Sequence, residues 1–288
     1  MVPIVTKNWL LARMYEPDLV IVDCRFELGS PAAGQKAYAD SHIPGAVYLD
    51  LEEDLSAPVS EHGGRHPLPD PEQFAQRLAK AGISNDSRIV AYDDQNGMYA
   101  SRLWWMLRWL GHEHVYVLDQ GFTAWKDAKF PVTDAQPVRI PSTYTAHVQP
   151  QLLADMLEVN SVSDHRTSGA SAFNGTAALI DSRSYDRYLG QNETMDPKAG
   201  HIPGAINFFW KDVLKEDGSF KSVEELQQHY ADLDPNEEYI VYCGSGVSAC
   251  PNVLALQAAG FKNVRLYAGS WSDWISYEGN AIATSEED

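Results

Sequence analysis

Cations, cysteines and long apolar runs are all scarce in this chain of 288 residues. Lysine and arginine total 22 against 40 aspartates and glutamates, a formal net charge of −18. A surface that binds nucleic acid or an anionic membrane needs an excess of cations, so the balance argues against both partners. No apolar stretch approaches the roughly 18 residues that cross a bilayer. The opening MVPIVTKNWLLARMYEP lacks a charged flank followed by a long apolar core, so the expected address is the cytoplasm. Cys24, Cys243 and Cys250 are too few and too dispersed for a disulfide scaffold or a four-cysteine zinc site. No cluster of side chains implies a metal or an organic cofactor. A functional cysteine here is one that reacts. Apolar bulk is present: 44% of residues are hydrophobic, with 8 Trp and 14 Tyr, enough for ordinary buried cores.

The sequence repeats itself. Asp23-Cys24-Arg25 returns as Asp181-Ser182-Arg183, and His42-Ile43-Pro44-Gly45-Ala46 returns letter for letter as His201-Ile202-Pro203-Gly204-Ala205. Ile89 to Asp93 aligns with Tyr239 to Cys243, and Val115 to Trp125 aligns with Val264 to Trp274. The order is kept and the spacing is nearly constant, which indicates a duplicated domain; solenoid repeats are much shorter. Residues 1–135 form the first copy and 151–288 the second. Between them the stretch from Phe130 to Pro150 carries Pro131, Pro137, Pro141 and Pro150, and its core, 136–150, reads as the linker. Asn160 to Gly175 has no counterpart in the first copy and reads as a surface insertion.

Within each copy, β-branched runs alternate with helical patterns. Leu19 to Asp23, Arg88 to Tyr92 and Val115 to Leu118 predict strands; Pro71 to Gly82 and Tyr99 to Leu110 predict helices. That alternation implies an α/β fold, in each domain a mainly parallel sheet flanked by helices. Ligands in such sheets sit beyond the carboxyl ends of strands. Cys243-Gly244-Ser245-Gly246-Val247-Ser248 occupies that place after the strand ending at Tyr242. Pro251 is tolerated only in a first helical turn, so a helix begins within a few residues of Val247 and stops near Gly260. Its free amides and those of the glycine-rich turn would stabilise a thiolate. Gly244 and Gly246 let the backbone approach the sulfur. In the first copy Asp93 stands at the matching position. A carboxylate can fill an amide nest but cannot carry sulfur, so only the second domain is expected to react, the first providing scaffold and one wall of an interdomain cleft. Cys24 and Cys250 read as core residues, with a resolving thiol as the alternative for Cys250.

These residues resemble tandem-domain rhodanese-like sulfurtransferases over nearly the whole chain. Tyr38-x3-His42-Ile43-Pro44-Gly45-Ala46 is similar to one family signature, and Gly269-Ser270-Trp271-Ser272-Asp273-Trp274 to another. Thiosulfate sulfurtransferases of the family read C-R-K-G-V-T at the active-site loop and 3-mercaptopyruvate sulfurtransferases read C-G-S-G-V-T. The present loop resembles the second, with Ser248 in the threonine position. The resemblance implies that Cys243 takes sulfur from 3-mercaptopyruvate as a persulfide, releases pyruvate, and passes the sulfur to a thiol, thioredoxin among them, or to cyanide. It implies that Gly244, Gly246, Val247 and Ser248 cradle the donor and that Arg187 binds its carboxylate. A second arginine is implied before His201, but residues 188–200 offer only Lys198 as a cation. Ser245 is implied in thiolate stabilisation or substrate contact. His66 is implied as its partner, with Glu52 standing where the family has aspartate. His42, His201 and the Trp104, Trp105 and Trp109 stripe read as structural. A thiosulfate enzyme and a non-catalytic redox-sensing module remain the alternatives. A cysteine-loop phosphatase needs Cys-x5-Arg, and the residue six beyond Cys243 is Ala249.

Overall fold

The computed structural model describes residues 3–167 and 177–285. They form two compact units. The first comprises Met1–Ala57, Leu68–Gln149 and Leu214–Phe220; the second comprises Pro58–Pro67, Pro150–Val213 and Lys221–Asp288. Each unit thus contains a short segment from the opposite half of the sequence.

The first unit runs β1 (Ile4–Val5), α1 (Lys7–Leu11), β2 (Leu19–Asp23), α2 (Ala33–Asp40), β3 (Val47–Tyr48), α3 (Pro71–Lys80), β4 (Arg88–Tyr92), α4 (Met98–Trp109), β5 (Val115–Leu118) and α5 (Gly121–Asp127). Its strands pair in parallel in the order β1-β5-β4-β2-β3. The second unit repeats the plan with β6 (Leu153–Ala154), α6 (Met156–Thr167), β7 (Ala178–Asp181), α7 (Tyr185–Tyr188), β8 (Ile206–Asn207), α8 (Val223–His229), β9 (Glu238–Tyr242), α9 (Cys250–Ala259), β10 (Asn263–Tyr267) and α10 (Ser270–Trp274). The order β6-β10-β9-β7-β8 is again parallel throughout. The predicted α/β architecture is therefore the observed one. Central strands such as β2 are buried at every position, as helices on both faces require. Helices start where the local chemistry sets them. At α3 the Asp70 carboxylate accepts the Glu72 and Gln73 amides ahead of Pro71, and at α8 Ser222 and Glu225 form a capping box.

The letters shared by both copies build one buried network each. Arg25 forks onto Asp23 and donates to the Ser41 carbonyl, while Tyr92 donates to the same aspartate at 2.6 Å. Arg183 repeats this with Asp181 and the Gly200 carbonyl. His42 and His201 each place Nδ1 2.7 Å from a tyrosine carbonyl, and their amides bond Thr133 and Ala283. Both histidines are structural. Trp104, Trp105 and Trp109 are buried on α4.

Residues 136–149 lack regular structure and bond along the first unit, for example from the Ser142 amide to the Ala79 carbonyl and from the Gln149 amide to the Trp109 carbonyl. Of the expected insertion, 160–167 is the end of helix α6, and 168–175 lies outside the described residues. Among the described residues no helix is long and apolar enough to cross a membrane.

Candidate active site

Cys243 is the first residue past the carboxyl end of β9, and α9 begins at Cys250 with Pro251 in its first turn. The turn between β10 and α10 holds Cys243 in place. The Cys243 amide donates to Ser270 Oγ at 3.1 Å, which in turn donates to the Tyr267 carbonyl at 2.8 Å. The amides of Trp271 and Ser272 donate back to the carbonyls of Cys243 and Gly244 at 3.0 and 2.9 Å. Gly246 lies against the same turn at φ +74°, where a Cβ would stand 2.1 Å from the Ala268 oxygen. Only glycine allows that approach. Cys243 is buried, at 1% exposure. Val247 is buried and its carbonyl accepts the Cys250 amide at 3.0 Å; Ser248 is half-buried.

The first copy shows what this strand–turn–helix unit does with an anion. Asp93, at the position matching Cys243, accepts four amides: Oδ1 from Gln95 and Gly97, and Oδ2 from Tyr99 and Ala100, all at 2.8–2.9 Å. Burial lifts its carboxyl above the ordinary range while these amides pull the other way. The other cysteines are packed. Burial, reinforced by the charges of Asp23 and Asp93, pushes the Cys24 thiol well up, and Cys250 Sγ donates to the Gly246 carbonyl at 3.3 Å.

Segment 58–67, early in the sequence, is seated in the second unit by the stretch that follows β10. The His62 ring stacks on Tyr277 at 4.0 Å, with Nδ1 2.8 Å from Ser276 Oγ. The Gly63 amide donates to the Asp273 carboxylate at 2.7 Å, and the Arg65 amide donates to Ser272 Oγ at 3.1 Å. Ser272 therefore ties the segment to the cysteine loop, through its hydroxyl on one side and its amide on the other. Two side chains arrive with it. His66 Nδ1 lies 2.8 Å from Ser245 Oγ, and both residues are buried. Arg65 reaches over Gly244, its Nη2 2.9 Å from where a Cβ would stand, and Arg187 Nη2 and Nη1 lie 3.5 and 3.8 Å from the same point. Two guanidiniums fill the space that a side chain at 244 would occupy.

Both guanidiniums are paired. Arg187 forks onto Glu193 at 2.9–3.0 Å and touches Asp196 at 3.3 Å; Arg65 pairs with the other oxygen of Asp196. The two carboxylates are 2% exposed. Burial raises Glu193, but the Met195 amide and Arg187 outweigh it and hold the carboxyl below its usual range. Burial wins at Asp196, which sits above its usual value despite Arg65.

One expectation needs correction. Lys198 does not supply the second cation: its Nζ donates to the Ile275 carbonyl at 2.9 Å, past the end of α10. The second guanidinium at Gly244 is that of Arg65, which lies in the first copy directly before His66, where no motif of the second copy points to it. Glu52 belongs to the first unit, where its amide donates to Asp50; its exposed carboxylate makes no hydrogen bond or ion pair among the described residues. Among the described residues no cluster of three or more His, Cys, Asp or Glu could hold a metal ion.

A buried thiol, a serine–histidine pair and two arginines together suit attack on the sulfur of a small carboxylate. The rhodanese-like domain is matched over residues 6–128 and again over 166–277. The chain is 43% identical to the probable 3-mercaptopyruvate sulfurtransferase of Pseudomonas aeruginosa, covering 98% of both chains. It is 33% identical to the thiosulfate sulfurtransferase of Rattus norvegicus, over 94% of this chain and 91% of that one. Its structure is similar to that of SseA from Escherichia coli, a 3-mercaptopyruvate sulfotransferase, with a TM-score of 0.79, 32% identity, and coverage of 94% of this chain and 100% of that one. A duplicated parallel sheet, a cysteine at the end of one strand and these matches make the chain a member of the rhodanese-like domain family, carrying the domain twice in tandem.

Proposed function

We propose that the protein is a sulfurtransferase that moves sulfur from 3-mercaptopyruvate, through a Cys243 persulfide, to a thiol or cyanide. The Cys243 thiolate attacks the mercapto sulfur, the carbon–sulfur bond breaks, and its electron pair leaves as the pyruvate enolate. The proton of the donor thiol ends on the methyl carbon of pyruvate, and the His66–Ser245 pair is the group placed to carry it. An acceptor thiol then takes the outer sulfur and returns Cys243 as the thiolate. Gly244, Gly246, Val247 and Ser248 form the cradle, and Arg187 with Arg65 receives the carboxylate. The first domain, 1–135, is non-catalytic, because Asp93 fills its nest; the second, 151–288, carries the chemistry, after the linker 136–150. Thioredoxin is one acceptor of the thiol class, and the reaction belongs to a reducing cytoplasm, where cysteine thiols persist.

The observation that carries this reading is the pair of guanidiniums at Gly244, one residue from Cys243. A thiosulfate enzyme is the competing reading; the loop cations it would use are here Gly244 and Ser245. Intact-mass spectrometry after incubation with 3-mercaptopyruvate should show a gain of about 32 Da, one sulfur, which a thiol removes and Cys243→Ser abolishes. A donor comparison should give the higher kcat/KM for 3-mercaptopyruvate. A Cys243→Ser protein that still turned over the donor would overturn the assignment.

A further inference from the structure

The arginines at Gly244 do not offer a donor their full charge. Arg183 also touches Glu193, at 3.5 Å, but its charge is matched by the fully buried Asp181 that it forks onto. That leaves Arg65 and Arg187 facing Glu193 and Asp196, two positive charges against two negative. The cluster is formally neutral before any donor arrives, and water screens its carboxylates, each 2% exposed, less than it screens surface charges. Two arginines alone would favour a dianion over a monoanion. With both carboxylates paired to them, the attraction that a second negative charge on the ligand would gain is reduced.

The two carboxylates differ in what else they do. Glu193 builds its own turn, accepting the amides of Met195 and Asp196 at 2.9 and 3.1 Å as well as the Arg187 fork. The Asp196 carboxylate bonds only the two arginines among the described residues, one oxygen to each. We propose that Asp196 is a specificity-determining residue. By bridging Arg65 and Arg187 it sets the charge of the site, so that a monoanionic donor is accepted and a dianionic one such as thiosulfate is disfavoured. The inference rests on the sulfurtransferase reading above and adds to it the charge class of the donor.

Asp196→Asn keeps the shape and removes one charge. The test compares kcat/KM for thiosulfate and 3-mercaptopyruvate with one acceptor, in the parent protein and the variant. Competitive inhibition by sulfate and by methanesulfonate is measured alongside, since these share a sulfonate head and differ by one charge. Losing one buried negative charge helps a dianion more than a monoanion by one unit-charge interaction. The thiosulfate to 3-mercaptopyruvate ratio should therefore rise on the order of tenfold, and the sulfate inhibition constant should fall by a similar factor relative to methanesulfonate. Ratios within about twofold of the parent in both measurements overturn the inference while leaving the donor reading intact. A parent protein that prefers thiosulfate overturns both. Should the variant not fold, the parent protein still decides: sulfate binding more tightly than methanesulfonate rejects the role of Asp196, and weaker binding supports it.

Discussion

Gly246→Ala asks whether the seat of the cysteine loop on the turn after β10 sets the position of the sulfur. A Cβ at 246 would lie 2.1 Å from the Ala268 oxygen and 2.9 Å from its carbonyl carbon and Cα, where ordinary contact begins at 3.4 Å. Loop and turn must part by more than about 1 Å. The opposing atoms are backbone at the end of a central strand, which cannot swing aside like a side chain. Holding alanine at φ +74° adds roughly 1–2 kcal/mol. Gly246 lies three residues beyond Cys243 and next to Ser245, so the displacement reaches the reacting groups. A misplacement of about 1 Å costs on the order of 100-fold in rate. Single-turnover formation of the persulfide, followed by intact mass, should slow by about that factor. Gly260, the C-cap of α9, is the control: its φ is +103° and nothing lies within 4 Å of its Cβ position. Gly260→Ala should pay a similar backbone cost, lowering the thermal midpoint while leaving the single-turnover rate within about twofold. A folded Gly246→Ala protein reacting as fast as Gly260→Ala would refute the reasoning.

Arg65→Ala should raise KM for 3-mercaptopyruvate about 10- to 100-fold, with a smaller loss in kcat, because hydrogen bonds to a charged group contribute roughly 1.5–3 kcal/mol. Ser272→Ala removes the hydroxyl that receives the Arg65 amide, so it should raise the same KM by a smaller factor, about fivefold, without moving the cysteine. Unchanged KM values would reject both roles. Glu193 has a folded-state pKa held below its ordinary 4.5, so it stabilises the fold above pH 4.5, and that stabilisation disappears as pH falls through the folded value. Glu193→Gln should therefore lower the urea midpoint at pH 7 and converge on the parent protein in more acidic solution. A gap that persisted at acid pH would show that packing, not charge, was lost.

The strands and the helix starts were legible because their signals are local: β-branched runs between turns, Pro71 after Asp70, and Pro251 just past the cysteine loop. The duplicated letters were legible as a repeat, but their reason was not. Asp23 and Asp181 are fully buried and must be satisfied on every oxygen, and each copy does this with an arginine two residues on. A tyrosine from the neighbouring strand end completes the first of these sets. That requirement is indifferent to catalysis, which is why the copy ending in Asp93 keeps it as faithfully as the copy ending in Cys243.

The charge of the site was hidden for a different reason. Arg65 meets Gly244 across most of the chain's length, and no periodicity or motif in the second half points to it. Pro58–Pro67, which carries it, lies between β3 and α3, and Leu214–Phe220 lies at the equivalent place between β8 and α8; each belongs to the unit built by the other half. In the first unit the visiting segment docks by the Phe220 amide on Asp119 and by the Phe220 ring against Gly97, on the loop where Asp93 already holds the anion. In the second the visitor brings Arg65 and His66 to the loop that begins at Cys243. The second half alone would leave one guanidinium at Gly244, paired with two carboxylates. The exchanged segment adds the second guanidinium, so on the proposed reading recognition of an anionic donor beside Cys243 depends on residues from both copies.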